Sequence, residues 1–156
     1  MTGVAARLAE LGLDLPEVVP PVAAYLPAKV HGDLVYTAGQ LPFISGALPA
    51  TGKVGESEGL VPAADAYGYA RQSALNAIAA AAAAVGGVER LTGVLKVTGF
   101  VASVPEFTGQ PGVINGASEL LAEVFGEAGR HARSAVGVPV LPLDSPVEVE
   151  VVFTVA

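Results

Sequence analysis

Near the C-terminus apolar and polar residues alternate, with Val152 the one apolar residue on the polar side. Val147, Val149, Val151, Phe153 and Val155 fall on one side of an extended strand, with Glu148, Glu150, Val152 and Thr154 on the other. The preceding strand, Arg133 to Val140, alternates as well: Ser134, Val136, Val138 and Val140 share one side, and Arg133, Ala135 and Gly137 the other. Earlier, β-branched and aromatic residues predict strands over Leu34–Ala38 and Val94–Val104, and an extended segment over Tyr25–His31 turns at Gly32-Asp33 to make a hairpin. Alanine dominates Ala63–Val85, and Gly86-Gly87 supplies a stop, which predicts the main helix. A second helix runs over Val113–Phe125, with Leu120, Leu121, Val124 and Phe125 as its apolar stripe. Val4–Leu11 reads as a short amphipathic helix leading into a connection through Pro16, Pro20 and Pro21, and the glycines and prolines of Leu41–Leu60 read as a long loop, often a functional or mobile feature.

The order β-β-α-β-α-β-β predicts an α+β fold: one mixed sheet with two helices packed on one face. No internal repeat or linker divides the sequence, so residues 1–156 read as one domain with 1–22 as an N-terminal helical extension. The valine-rich side of each of the last two strands belongs under the helices. That expectation leaves Arg133, Glu148 and Glu150 together on the second face, beside Ala135, Gly137 and Val152. Such a mixed face suits partial burial against another copy of the chain.

Composition narrows the function. The 156 residues are 52% apolar and 15% charged, and the net charge is −7. The eight basic residues form no run, which counts against a nucleic-acid partner, because phosphate contacts need a clustered basic footprint. The absence of cysteine excludes disulfides and thiolate chemistry. Leu34–Gly52 is interrupted by glycine and proline, and Gln72–Val88 is too short and too weakly apolar for a membrane span, so a cytoplasmic location is the default.

Among candidate groups Arg133 stands out. On a solvated face it would be an ordinary surface charge worth little. In a sheltered cleft its planar fork would grip a ligand carboxylate through two parallel hydrogen bonds. His31 and His131 are remote in sequence, form no ligand motif and read as turn or surface residues. Ser118 and Ser134 lack a base at a recognisable spacing, Gln40 reads as ordering its turn, and Glu150 as a neighbour of Glu148.

Three segments together resemble the YjgF/RidA family, which includes imine deaminases: Tyr25 followed by TAGQLP (Thr37–Pro42), VINGAS (Val113–Ser118), and RSAV…LP…VEVEV (Arg133–Val151). The resemblance implies a chorismate-mutase-like fold of the bacillus type, assembled as a homotrimer with ligand clefts between neighbouring subunits. It assigns substrate-carboxylate binding to Arg133 and the positioning of an attacking water to Glu148. Tyr25, the backbone of Gly39, Asn115 and Ala135 would line the pocket. The sequence departs from the family at Ala135, often cysteine, at Gly137, often glutamate, at Ala23-Ala24 before the tyrosine and at Ala38. The Phe43–Leu60 loop is also longer, and these departures mark a side branch.

The implied reaction is hydrolysis of small 2-imino or enamine acids to 2-keto acids and ammonia, with no metal or organic cofactor. Two other readings stand beside it. One is binding or sensing of a keto acid without turnover. The other is the RNA cleavage that gives the family its endoribonuclease label, against which the acidic charge counts.

Overall fold

The computed structural model describes residues 3–18, 20–21 and 23–156. Its elements follow the predicted order: α1 (Val4–Glu10), β1 (Ala28–His31), β2 (Leu34–Thr37), α2 (Ala63–Val85), β3 (Leu91–Ala102), α3 (Gln110–Phe125), β4 (Ala132–Val138) and β5 (Val147–Val155). The five strands form one mixed sheet in the order β1-β2-β5-β3-β4. β5 runs antiparallel to both β2 and β3, whereas β4 lies parallel to β3 on the sheet edge. This is an α+β fold with α2 and α3 together on one face.

The core lies between that face and the helices. Val147, Val149, Val151 and Phe153 of β5 and Val97 and Val101 of β3 are buried there, as predicted for β5. α2 meets them with Ala66, Ala70, Ala74, Ala77 and Ala81, all fully buried. Methyl side chains let a helix axis approach the sheet closely, and they cost no side-chain entropy on burial. The helix ends at Gly86, whose φ of 84° is a left-handed conformation that glycine adopts without strain. α3 comes equally close: a Cβ on Gly99 of β3 would lie 2.5 Å from Ile114 Cδ1, so the missing side chain seats α3 over the β3–β4 edge.

The N-terminal and loop segments are tied to this body. Residues 1, 2, 19 and 22 of the N-terminal extension lie outside the described residues. Within it, Leu8 of α1 is buried, Arg7 Nε donates to Glu123 O at 2.8 Å, and the Glu89 carboxylate accepts from the N–H groups of Val4 and Ala5. The long loop is pinned by the chain around it. Val54 is fully buried and donates to Ala102 O at 2.7 Å, Gly52 donates to Asp144 O at 2.8 Å, and the Asn76 amide of α2 donates to the carbonyls of Leu41 and Phe43. Among the described residues no helix is long and apolar enough to cross a membrane.

One expectation fails. On β4 it is Arg133, Ala135 and Gly137 that face the helices, while Ser134, Val136 and Val138 lie on the open face. The register shows it: Arg133 pairs with buried Val97, Gly99 with Ala135, and Phe100 with Val136. The physical reason is space. α3 crosses so near the β4 edge that valines would not fit beneath it, whereas small residues do. The valines are therefore turned outward, and Val136 is 42% exposed.

Candidate functional site

The open face of the sheet and its β4 edge each carry a cluster of predicted residues. The first forms where α3 passes over the β4 edge. Pro111, Asn115 and Ser118 recur at helical spacing on the side of α3 that faces β4. Arg133 Nη1 donates to Asn115 Oδ1 at 2.8 Å and to Ser118 Oγ at 3.2 Å, and Nη2 donates to the Pro111 carbonyl at 3.3 Å. A guanidinium has five N–H donors. Three bonds are made among the described residues, none of them from Nε and one from Nη2, and Nε and Nη2 form one edge of the planar group. Two parallel donors on one edge match a carboxylate. Ala135 lies two residues further along the same face, half-buried against the core.

The second cluster forms at the start of β5. A Cβ on Gly39 would lie 1.9 Å from Glu148 Oε1, so the carboxylate rests directly against the Gly39 backbone. Gln40 and Val149 exchange backbone hydrogen bonds of 2.8 and 3.0 Å, and the Gln40 side chain donates to Ala38 O at 3.2 Å, ordering the turn as expected. Pairing of Ala28 with Thr37 sets the hairpin register, and the Ala38 N–H donates to Pro27 O. Tyr25 lies upstream of the paired residues, in a bend where its N–H donates to Ala23 O, and is 57% exposed. Gly39 and Glu148 thus meet at one end of the sheet, and no hydrogen bond among the described residues joins Tyr25 to them.

The electrostatics of the two clusters differ. Burial pushes the Glu148 carboxyl above the ordinary range, and Glu150 two residues on raises it further. Among the described residues no hydrogen bond or ion pair reaches that carboxylate. A carboxyl shifted in this direction is a stronger base than an exposed one.

The clusters do not meet within one chain. Arg133 is level with Val97 on β3, and Glu148 with Phe100, so the two are offset by two strand spacings and three residues. That separates their Cα atoms by about 14 Å. Their side chains also leave the sheet on opposite faces. The expectation that Arg133 and Glu148 share a face is therefore corrected for the reason given above for β4.

Ser118 and His131 are a pair the sequence did not disclose. Ser118 Oγ lies 2.9 Å from His131 Nε2, and His131 Nδ1 lies 2.6 Å from the Gly129 carbonyl. The base that Ser118 lacked in sequence is supplied by the turn between α3 and β4. The one available signal was the Asn115/Ser118 spacing on a helix running toward a strand that carries an arginine. By contrast, His31 is exposed at its strand end, as read.

With this geometry in hand, comparison with known proteins decides the lineage. Residues 5–155 match the family profile described as "YjgF/chorismate mutase-like, putative endoribonuclease". The chain belongs to this family. A Trypanosoma cruzi relative, protein TCP17, is 41% identical over 150 residues, covering 94% of this chain and 91% of its own. Among solved structures, an Agrobacterium tumefaciens protein of unknown function is 44% identical with a TM-score of 0.87, covering 98% of this chain and 92% of its own. A Shewanella oneidensis protein that carries the same endoribonuclease description is 33% identical with a TM-score of 0.91, covering 98% and 99% respectively.

Against the YjgF pattern, the glycine at position 137 now has a local explanation. The Gln110 amide nitrogen of α3 would lie 2.7 Å from a Cβ there, and it donates to Ser103 Oγ and the Phe107 carbonyl.

Proposed function

We propose that this protein binds the carboxylate of a small 2-imino or enamine acid at Arg133 and hydrolyses it to the 2-keto acid and ammonia. The observation that carries this reading is the half-satisfied guanidinium: three bonds to α3, none of them from Nε. Fixing the carboxylate orients the adjacent C=N carbon. Glu148 holds a water and accepts its proton as the oxygen attacks that carbon. The resulting amino alcohol loses ammonia, with the proton returned to nitrogen, and the C=O forms. Overall, imine plus water gives keto acid plus ammonia, with no redox change and no cofactor required.

Because Arg133 and Glu148 leave opposite faces of the sheet, the reading requires Glu148 of a second copy to complete the cleft around Arg133. A closed homotrimer supplies three such clefts. The apolar residues on the open face, Tyr36 at 49% and Val136 at 42% exposure, support its burial between copies.

Generating 2-iminobutyrate in situ and following its loss with and without the protein tests the chemistry. A mixing experiment tests the shared cleft. Arg133→Ala and Glu148→Gln are each inactive alone; unfolded together and refolded as mixed trimers, they recover about a quarter of the wild-type sites, because one cleft in four joins an intact arginine to an intact glutamate. Mixed trimers without activity, or a monodisperse monomer by light scattering, rule the shared cleft out. A wild type that binds 2-ketobutyrate but leaves imine loss unchanged narrows the function to keto-acid binding. RNA cleavage that survives both repurification and Arg133→Ala replaces the reading altogether.

A further inference from the structure

For a neutral His131 ring the hydrogen bonds behind Arg133 run in one direction. The Gly129 carbonyl can only accept, so at 2.6 Å the hydrogen lies on His131 Nδ1. In the neutral ring Nε2 is then an acceptor, and the Ser118 hydroxyl 2.9 Å away donates to it. With its only hydrogen so committed, Ser118 Oγ turns a lone pair toward Arg133 Nη1. The anchor of this chain is closely packed: a Cβ on Gly129 would lie 2.4 Å from the Leu121 carbonyl, so the turn sits against α3 itself.

Without His131 the Ser118 hydrogen has no fixed acceptor, and the Oγ lone pair is no longer held toward the guanidinium. Nη1 would then keep Asn115 alone, and the planar group could pivot about that bond. We propose that Ser118 and His131 are positioning residues that act as one unit, presenting the Nε/Nη2 edge of Arg133 in a single orientation and so setting selectivity for a planar 2-oxo or 2-imino carboxylate. They are not catalytic residues: both lie on the Nη1 side of the guanidinium, away from the edge left for the ligand. The inference rests on the proposed carboxylate-binding role of Arg133.

Calorimetric titration of the full-length protein with 2-ketobutyrate separates the two. Ser118→Ala and His131→Ala each weaken binding about three- to tenfold, the scale of one lost hydrogen bond, and the double variant is no weaker than the worse single one. His131→Gln, whose side-chain oxygen can accept the Ser118 hydrogen, restores affinity to within about twofold of wild type. Selectivity is read with 2-hydroxybutyrate, whose carbon beside the carboxylate is tetrahedral: the preference for 2-ketobutyrate over it falls in both single variants. Arg133→Ala is the control and abolishes binding. If that control holds while Ser118→Ala and His131→Ala bind like wild type, or if their effects simply add, the relay is wrong and the carboxylate site stands. If Arg133→Ala binds unchanged, the site fails and the relay fails with it.

Discussion

At the Arg133 corner a positive group is held by three acceptors on one helix, whereas at the Glu148 corner a negative group is pressed against Gly39 and repelled by Glu150, with no hydrogen bond among the described residues. The first arrangement fixes an orientation before any ligand arrives, and a group already ordered costs little further entropy on binding. The second leaves a carboxylate under electrostatic and solvation stress, which favours its taking up a proton. A binding group benefits from the first treatment and a base from the second. The contrast supports the proposed division of roles between the two corners.

The largest way to break that contrast is Arg133→Ala, which is expected to lower affinity for 2-ketobutyrate at least about a hundredfold by calorimetry while the fold persists, since two charge-assisted hydrogen bonds are lost together. Arg133→Lys keeps the charge but not the fork. A loss of about tenfold or more in the same titration is expected, and full retention would show that charge alone suffices.

Gly39→Ala probes the other corner. Its backbone tolerates alanine, but the new methyl must displace the Glu148 carboxylate, the far end of a flexible side chain. Stability should change little, while kcat for imine hydrolysis falls about ten- to a hundredfold and keto-acid affinity moves far less. Equal losses in both quantities would mean that the corners are not separate in role.

The smallest effect concerns stability. Because the folded-state pKa of Glu148 is raised from 4.5, its contribution favours folding below that pH and is lost as pH rises through the folded value. Glu148→Gln cannot ionise, so its Tm should exceed that of wild type at neutral pH by no more than about 3 °C, given the solvent screening of a half-buried group. The difference should disappear in acid. A Tm below wild type at neutral pH would show that the carboxylate is stabilised by its surroundings.

Most of the fold was legible because period and punctuation agree. The alternation of Val147 to Val155 gave β5 and its buried face, and the alanine run closed by Gly86-Gly87 gave α2. Arg133, Asn115 and Glu148 were reached through three sequence segments in register. What misled was β4. Its valines alternate as a core strand should, yet they face outward.

The sequence by itself determined which residues pair into elements, since a period of two or of 3.6 is a property of neighbours along the chain. It also determined the family. Tertiary structure alone decided which side of β4 meets the helices, because Ile114 and Gln110 descend on Gly99 and Gly137 from a segment distant in sequence. That crossing put Arg133 and Glu148 on opposite faces and brought His131 to Ser118. Periodicity can say that a strand has two faces, but only the packed neighbour chooses between them.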